Sequence, residues 1–266
     1  MNNLKDSFDL AVNSYVNELI QNRAVEGIVL TGSAGRDDYD ELSDIDNVVI
    51  VNKLFSNESI FDIKEGKFLR GNFLFDTRIV TSKSFAGPWS DDMFFAYLKS
   101  AKIVADQHKT IKKTIDIKTE DWLKISNHKL FLSLVNLSVI FEFDDNWKNL
   151  KTTTHYQKYL ERKDFISANR LLNIAFENVI DIIYFMNQSP IPDSKNKLKL
   201  LKNLTLLPNS CEVILSDSMI VPALTSRTLQ MRYSYLSKLV TEIIQILNLH
   251  IDIPEDLYGY YLKNRS

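Results

Sequence analysis

Thr31 to Asp46 reads TGSAGRDDYDELSDID. It holds a Gly-Ser pair, ten intervening residues, then two aspartates one residue apart. Apolar runs flank it, Gly27-Ile28-Val29-Leu30 before and Ile45 with Val48-Val49-Ile50-Val51 after. The pattern predicts strand, Gly-Ser turn, loop, strand. Residues i and i+2 of a strand share a face, so Asp44 and Asp46 converge while Ile45 points the other way. A small turn lets backbone N–H groups approach a phosphate chain, and carboxylates on one strand face can hold Mg²⁺.

A third acid would complete such a site, and Asp76 is the candidate. It interrupts the apolar strand pattern Phe73-Leu74-Phe75-Asp76-Thr77-Arg78-Ile79-Val80. Burying an unpaired carboxylate is expensive. Asp76 must therefore face solvent, pair with Arg78 on the same strand face, or bind metal. Three carboxylates on neighbouring strands would cage one or two Mg²⁺ ions for in-line attack at phosphorus. Asp37, Asp38, Asp40 and Glu41, in the loop after the Gly-Ser pair, read as a solvated acidic surface.

The 266 residues suffice for one large domain or two ordinary ones, and 45% hydrophobic with 25% charged residues is ordinary globular composition. A formal net charge of −2 supplies no general basic field for nucleic acid. Cys211 is the sole cysteine, which excludes an intrachain disulfide framework and a cysteine zinc cluster. His108, His128, His155 and His250 lack metal-ligand spacing. The N-terminus lacks the basic start and unbroken apolar segment of a signal peptide, and no stretch is apolar enough to span a bilayer. A cytoplasmic protein without membrane contact is expected.

Leu4, Phe8, Ala11, Val12, Tyr15 and Leu19 recur at helical spacing. Strands are predicted at 27–31, 45–52, 67–70 and 72–81, a helix over Asp91–Ser100, and a last strand at 101–105. Beyond residue 117 helical periodicity takes over, in an apolar run from Leu130 to Phe143 and in segments near 153–187, 194–204 and 225–249. The predicted class is α+β: a mixed sheet with flanking helices over 1–112, then a helical bundle over 113–266.

Gly32-Ser33, the Asp44-Ile45-Asp46 pair and a later acidic strand together resemble the nucleotidyltransferase superfamily, which includes the DNA polymerase beta-like enzymes. Within it, Gly32-Ser33-Ala34-Gly35-Arg36, Ser43-Asp44-Ile45-Asp46 and the strand Gly71–Phe75 ending at Asp76 are most similar to the kanamycin (aminoglycoside 4′-) nucleotidyltransferases. Phe141–Asn149 resembles the stretch that carries their general base, which implies Glu142 in that role. The physical reading agrees, with a carboxylate desolvated at the end of an apolar helix. A nucleotide-contacting lysine of that family falls on Asn146, with Lys148 two positions on.

The resemblance implies transfer of a nucleoside monophosphate from an NTP, ATP first among them, to a hydroxyl, with pyrophosphate released. Asp44, Asp46 and Asp76 would hold Mg²⁺, Gly32 and Ser33 the phosphates, and Arg36 would neutralise phosphate charge. An aminoglycoside acceptor, hence antibiotic resistance, and a homodimer follow by the same likeness. Two rivals keep the fold. A toxin-like enzyme would modify RNA or protein, with Lys195, Lys197, Lys199 and Lys202 as a basic patch, and an inactive relic would only bind nucleotide.

Overall fold

The computed structural model describes residues 2–52, 63–138, 140–143, 150–151, 155–254, 259 and 263. The chain divides into two compact units, Met1–Trp122 and Leu123–Ser266.

The first unit runs α1 (Asn2–Leu19), β1 (Val25–Leu30), α2 (Gly32–Arg36), β2 (Ile45–Val51), β3 (Gly66–Arg70), β4 (Phe73–Thr81), α3 (Ser82–Ala86), α4 (Asp91–Lys99) and β5 (Lys102–Asp106). The strands form one sheet of order β3-β4-β2-β1-β5. Only the β2–β4 pairing is parallel, and the other three are antiparallel. The mixed sheet expected from the sequence is therefore present. β2 lies in the middle and is buried along nearly its whole length, as a strand covered on both faces must be. β3 lies at an edge, and its residues alternate between half-buried and exposed.

One face of the sheet is closed by α1. Phe8, Val12, Tyr15, Val16 and Leu19 pack against Ile28, Leu30, Ile45, Val49 and Phe75. Each such side chain contributes about 1.5–3 kcal/mol by leaving water. Tyr15 and Thr77 are joined by a buried hydroxyl–hydroxyl hydrogen bond of 2.9 Å. Strand alternation then turns Asp46 and Asp76 to the opposite face, because Ile45 and Phe75 are committed to the core. That face is bordered by α4, whose N-cap Ser90 accepts from the Met93 N–H. Phe85, Trp89, Phe94 and Tyr97 make an aromatic cluster around α3 and α4, and the Trp89 indole N–H donates to the Phe85 carbonyl at 2.6 Å.

The helix α5 (Thr110–Leu137) begins in the first unit and continues into the second. The second unit holds a two-stranded pairing of β6 (Glu142–Phe143) with β7 (Leu150–Lys151), then α6 (His155–Glu161), α7 (Phe165–Met186), α8 (Lys197–Leu201), α9 (Cys211–Met219) and α10 (Ser226–His250). α7 and α10 are its long helices, with fully buried Leu172, Val179, Ile183, Leu236, Val240 and Leu247. Arg232 is buried there and donates to the Ser218 carbonyl, Asn169 and Asn173, its guanidinium over the Phe176 ring. The helical second half expected from the sequence is present.

Three boundaries refine or correct the sequence reading. The apolar run read as one helix to Phe143 leaves the helix at Leu137, and Glu142 lies in β6. The helical segment near 153–187 is two helices, separated between Glu161 and Phe165, where Lys163 takes a left-handed φ of 59° and Asp164 caps α7. The Gly-Ser turn is itself a short helix, α2. Among the described residues no helix is long and apolar enough to cross a membrane.

Candidate active site

The parallel register of β2 and β4 places Asp46 directly opposite Asp76. Asp44 precedes β2 by one residue. One carboxylate oxygen from each of Asp44, Asp46 and Asp76 lies within 4.8 Å of the other two, and all three residues are half-buried. The acidic residue inside the apolar strand is thus neither orphaned nor paired with Arg78. It joins the two aspartates named by the motif.

Gly32 is part of the same geometry. Its φ is +59°, and a Cβ there would overlap the Asp46 carboxylate. The Thr31 N–H donates to the Asp46 carbonyl at 2.9 Å, which ties the entry of α2 to β2. Glycine is needed because the backbone bends left-handed and passes against a carboxylate. Gly35 has a different reason: a Cβ would strike the carbonyl oxygens of Ser100 and Leu30. The leading N–H groups of a helix have no acceptor within it, so the start of α2 presents donors beside the three acids.

Lys67 is a member of the site that the motif did not reveal. Its Nζ lies 3.0 Å from Asp44 Oδ2 and 3.6 Å from Asp76 Oδ2. The hydrogen bond to Asp44, with the charges of Asp44 and Asp76, holds its ammonium above the ordinary lysine range. A signal for it was present in the sequence. The β3–β4 hairpin turns through Gly71-Asn72 and pairs Arg70 with Phe73, so counting back three residues on one strand and forward three on the other sets Lys67 opposite Asp76.

Three of the four loop acids are engaged locally. Asp38 pairs with Arg36 at 3.1 Å and Asp37 with Lys102 at 3.0 Å, while Asp40 accepts from the Leu42 N–H and the Ser43 hydroxyl. Arg36 also donates to the Ser100 hydroxyl at 3.2 Å, so its guanidinium is engaged with Asp38 and Ser100 rather than with the three acids. Ser33 is half-buried in α2. A cavity of about 420 Å³ opens beside the cluster, lined among others by Asp46, Asp76, Arg78, Ser90, Asp92 and Tyr97.

Glu142 belongs to the second unit, where it is exposed in β6 and paired in register with Lys151. The desolvated helix end inferred for it is not what the chain forms there. Asn146 and Lys148 lie outside the described residues. Of the four lysines near 195–202, Lys197 is held 2.7 Å from both Glu177 and Asp181 with a largely buried side chain, which withdraws it from any phosphate backbone.

Among the described residues, Asp44, Asp46 and Asp76 form the group of His, Cys, Asp and Glu side chains able to hold a metal ion. An all-carboxylate donor set suits a hard cation such as Mg²⁺ or Mn²⁺ and lacks the nitrogen or sulfur ligands that favour zinc. The residues fit the ion the motif implies.

Residues 12–85 match the family model described as a nucleotidyltransferase domain, a segment that contains α2, all three aspartates and Lys67. The first unit thus carries a nucleotidyltransferase domain, and the chain is a transferase. No curated protein matches the chain. A solved structure described as a nucleotidyltransferase-like protein from Exiguobacterium sibiricum 255-15 is similar, at 10% identity and a TM-score of 0.42, over 96% of this chain and 78% of that one.

Proposed function

From the premise that residues 12–85 form a nucleotidyltransferase domain, we propose that the protein moves a nucleoside monophosphate, AMP from ATP, to a hydroxyl of a small acceptor, in the manner of the aminoglycoside nucleotidyltransferases. The observation that carries the reading is the meeting of Asp44, Asp46 and Asp76 within 4.8 Å inside that domain. Mg²⁺ bound there would draw charge from the α-phosphate and lower the pKa of a hydroxyl beside it. Asp44 and Asp46 would hold the ion, and Asp76 would complete the donor set and orient the acceptor. Gly32 and Ser33 would bind the β- and γ-phosphates through N–H groups and the hydroxyl, and Arg36 would neutralise phosphate charge once released from Asp38 and Ser100. The acceptor oxygen bonds to the α-phosphorus as the bond to the pyrophosphate oxygen breaks, and the hydroxyl proton passes to a general base.

An aminoglycoside-like polycation is the proposed acceptor. Asp92 adds a carboxylate to the cavity beside Asp46 and Asp76, and an acidic cavity draws cations. Residues 1–112 are taken as the catalytic domain, 113–266 as the helical domain, and a homodimer as the working form.

The test is incubation with each NTP, Mg²⁺ and an aminoglycoside panel, scored by pyrophosphate and adduct mass. The expected result is an adduct heavier by one nucleoside monophosphate, abolished in Asp44→Asn. Full turnover by that variant would refute the metal assignment. Labelling of tRNA or protein with none of small molecules would replace the acceptor, and tight Mg·ATP binding without transfer to any acceptor would leave only a nucleotide-binding protein.

A further inference from the structure

We propose that Lys67 is a built-in competitor for the carboxylate cluster, a tethered cation that must withdraw before Asp44, Asp46 and Asp76 can share a divalent ion. The inference rests on the metal reading above and deepens it.

The tether comes from the sheet. The β3–β4 register fixes the Lys67 backbone opposite Asp76, so the ammonium cannot diffuse away from the cluster. From there it reaches Asp44 Oδ2 at 3.0 Å and Asp76 Oδ2 at 3.6 Å. Mg²⁺ needs carboxylate oxygens at about 2.0–2.1 Å, and Mn²⁺ suits the same donors. The ammonium and a divalent ion therefore seek the same oxygens, and their charges repel. Lys67 can yield because it sits on an edge strand with its side chain more than half exposed. Its flexible four-carbon stem can carry the head into water.

The arrangement has two sides. Three carboxylates this close repel one another, and the Lys67 ammonium relieves that repulsion when no metal is held. The same contact opposes metal entry, so the cluster binds a lone divalent ion less tightly than its ligand count suggests. Because the pairs are solvent-exposed, the effect is modest.

The test is Mn²⁺ titration of the full chain without nucleotide, with free Mn²⁺ followed by electron paramagnetic resonance, on the native protein, Lys67→Met, Lys67→Gln, Lys67→Arg and Asp44→Asn. Thermal unfolding is run in parallel with and without Mn²⁺. Lys67→Met and Lys67→Gln are expected to bind Mn²⁺ about three- to tenfold more tightly than the native protein. Lys67→Arg, which keeps the charge, stays near the native value, and Asp44→Asn loses the site. Without metal the two neutral variants unfold at lower temperature, and the gap closes as Mn²⁺ saturates. A purely structural lysine would lower stability equally with and without metal and leave Mn²⁺ affinity unchanged or weaker, and that outcome overturns the proposal. Equal binding by native protein and neutral variants, abolished in Asp44→Asn, sinks the competitor role alone. No Asp44-dependent binding in any variant sinks the metal reading and the competitor with it.

Discussion

Replacing Gly32 by alanine separates what this residue does for the fold from what it does for the site. At φ +59° an L-residue pays roughly 1–2 kcal/mol. Alanine regains about 0.4–1 kcal/mol by stiffening the unfolded chain. The net loss of stability is therefore about 1 kcal/mol, and Gly32→Ala folds. Its new methyl group, however, occupies the place of Asp46 Oδ2. That atom ends a flexible side chain, so the overlap is relieved by rotating the carboxylate out of the cluster. Disturbing a group that orients a metal ligand costs about 10–100-fold in metal affinity. Urea unfolding and Mn²⁺ titration of the same preparation read both quantities. Gly35→Ala is the control, because its methyl group would meet the carbonyl oxygens of Ser100 and Leu30, which no side-chain rotation can clear. It should lose about 3 kcal/mol of stability as an overpacked site. A Gly32→Ala protein with undiminished Mn²⁺ affinity would refute the reasoning.

In the second unit, Arg232→Met removes the donor shared by Asn169, Asn173 and the Ser218 carbonyl, and should cost about 2–4 kcal/mol in urea unfolding. Burial pulls the Lys197 ammonium down, but hydrogen bonds to Asp181 and Glu177, and then their charges, outweigh it and raise its pKa above the ordinary lysine value. Its stabilising contribution is thus complete below that value and lost as pH rises through the raised one. Unfolding free energies measured up the alkaline range should fall there in the native protein and stay flatter in Lys197→Met. Burial, then Glu242 and Glu212, push the Cys211 thiol up to about 12, so a thiol reagent at pH 8 should label it only after denaturation.

The parts of the fold and site that were legible in the sequence are those with a local signature. Asp76 stood out as a charge inside an apolar strand, and the aspartate pair carried its own face rule through strand alternation. Lys67 was readable by hairpin arithmetic, yet a lysine on an edge strand looks like any solvated residue until its partner strand is placed. α2 was misread as a turn because five residues containing two glycines give no periodicity. Glu142 was misplaced because Leu137–Phe143 is mostly apolar and has no glycine or proline to mark where the helix stops. α9 was missed because nine residues with a weak amphipathic pattern resemble a loop between longer helices. Arg36 looked available for phosphate, since its ties to Asp38 and Ser100 depend on the loop path and on residues 64 positions apart.

The account turns on whether Asp44, Asp46 and Asp76 grip one divalent ion at the nucleotide. Anomalous diffraction from crystals soaked with Mn²⁺ and a non-hydrolysable ATP analogue measures this directly. The account predicts a manganese peak bonded to oxygens of all three aspartates and of the analogue's phosphates, with the Lys67 ammonium displaced. A peak bonded elsewhere, or analogue bound with the three carboxylates still holding Lys67 and no metal, would contradict it.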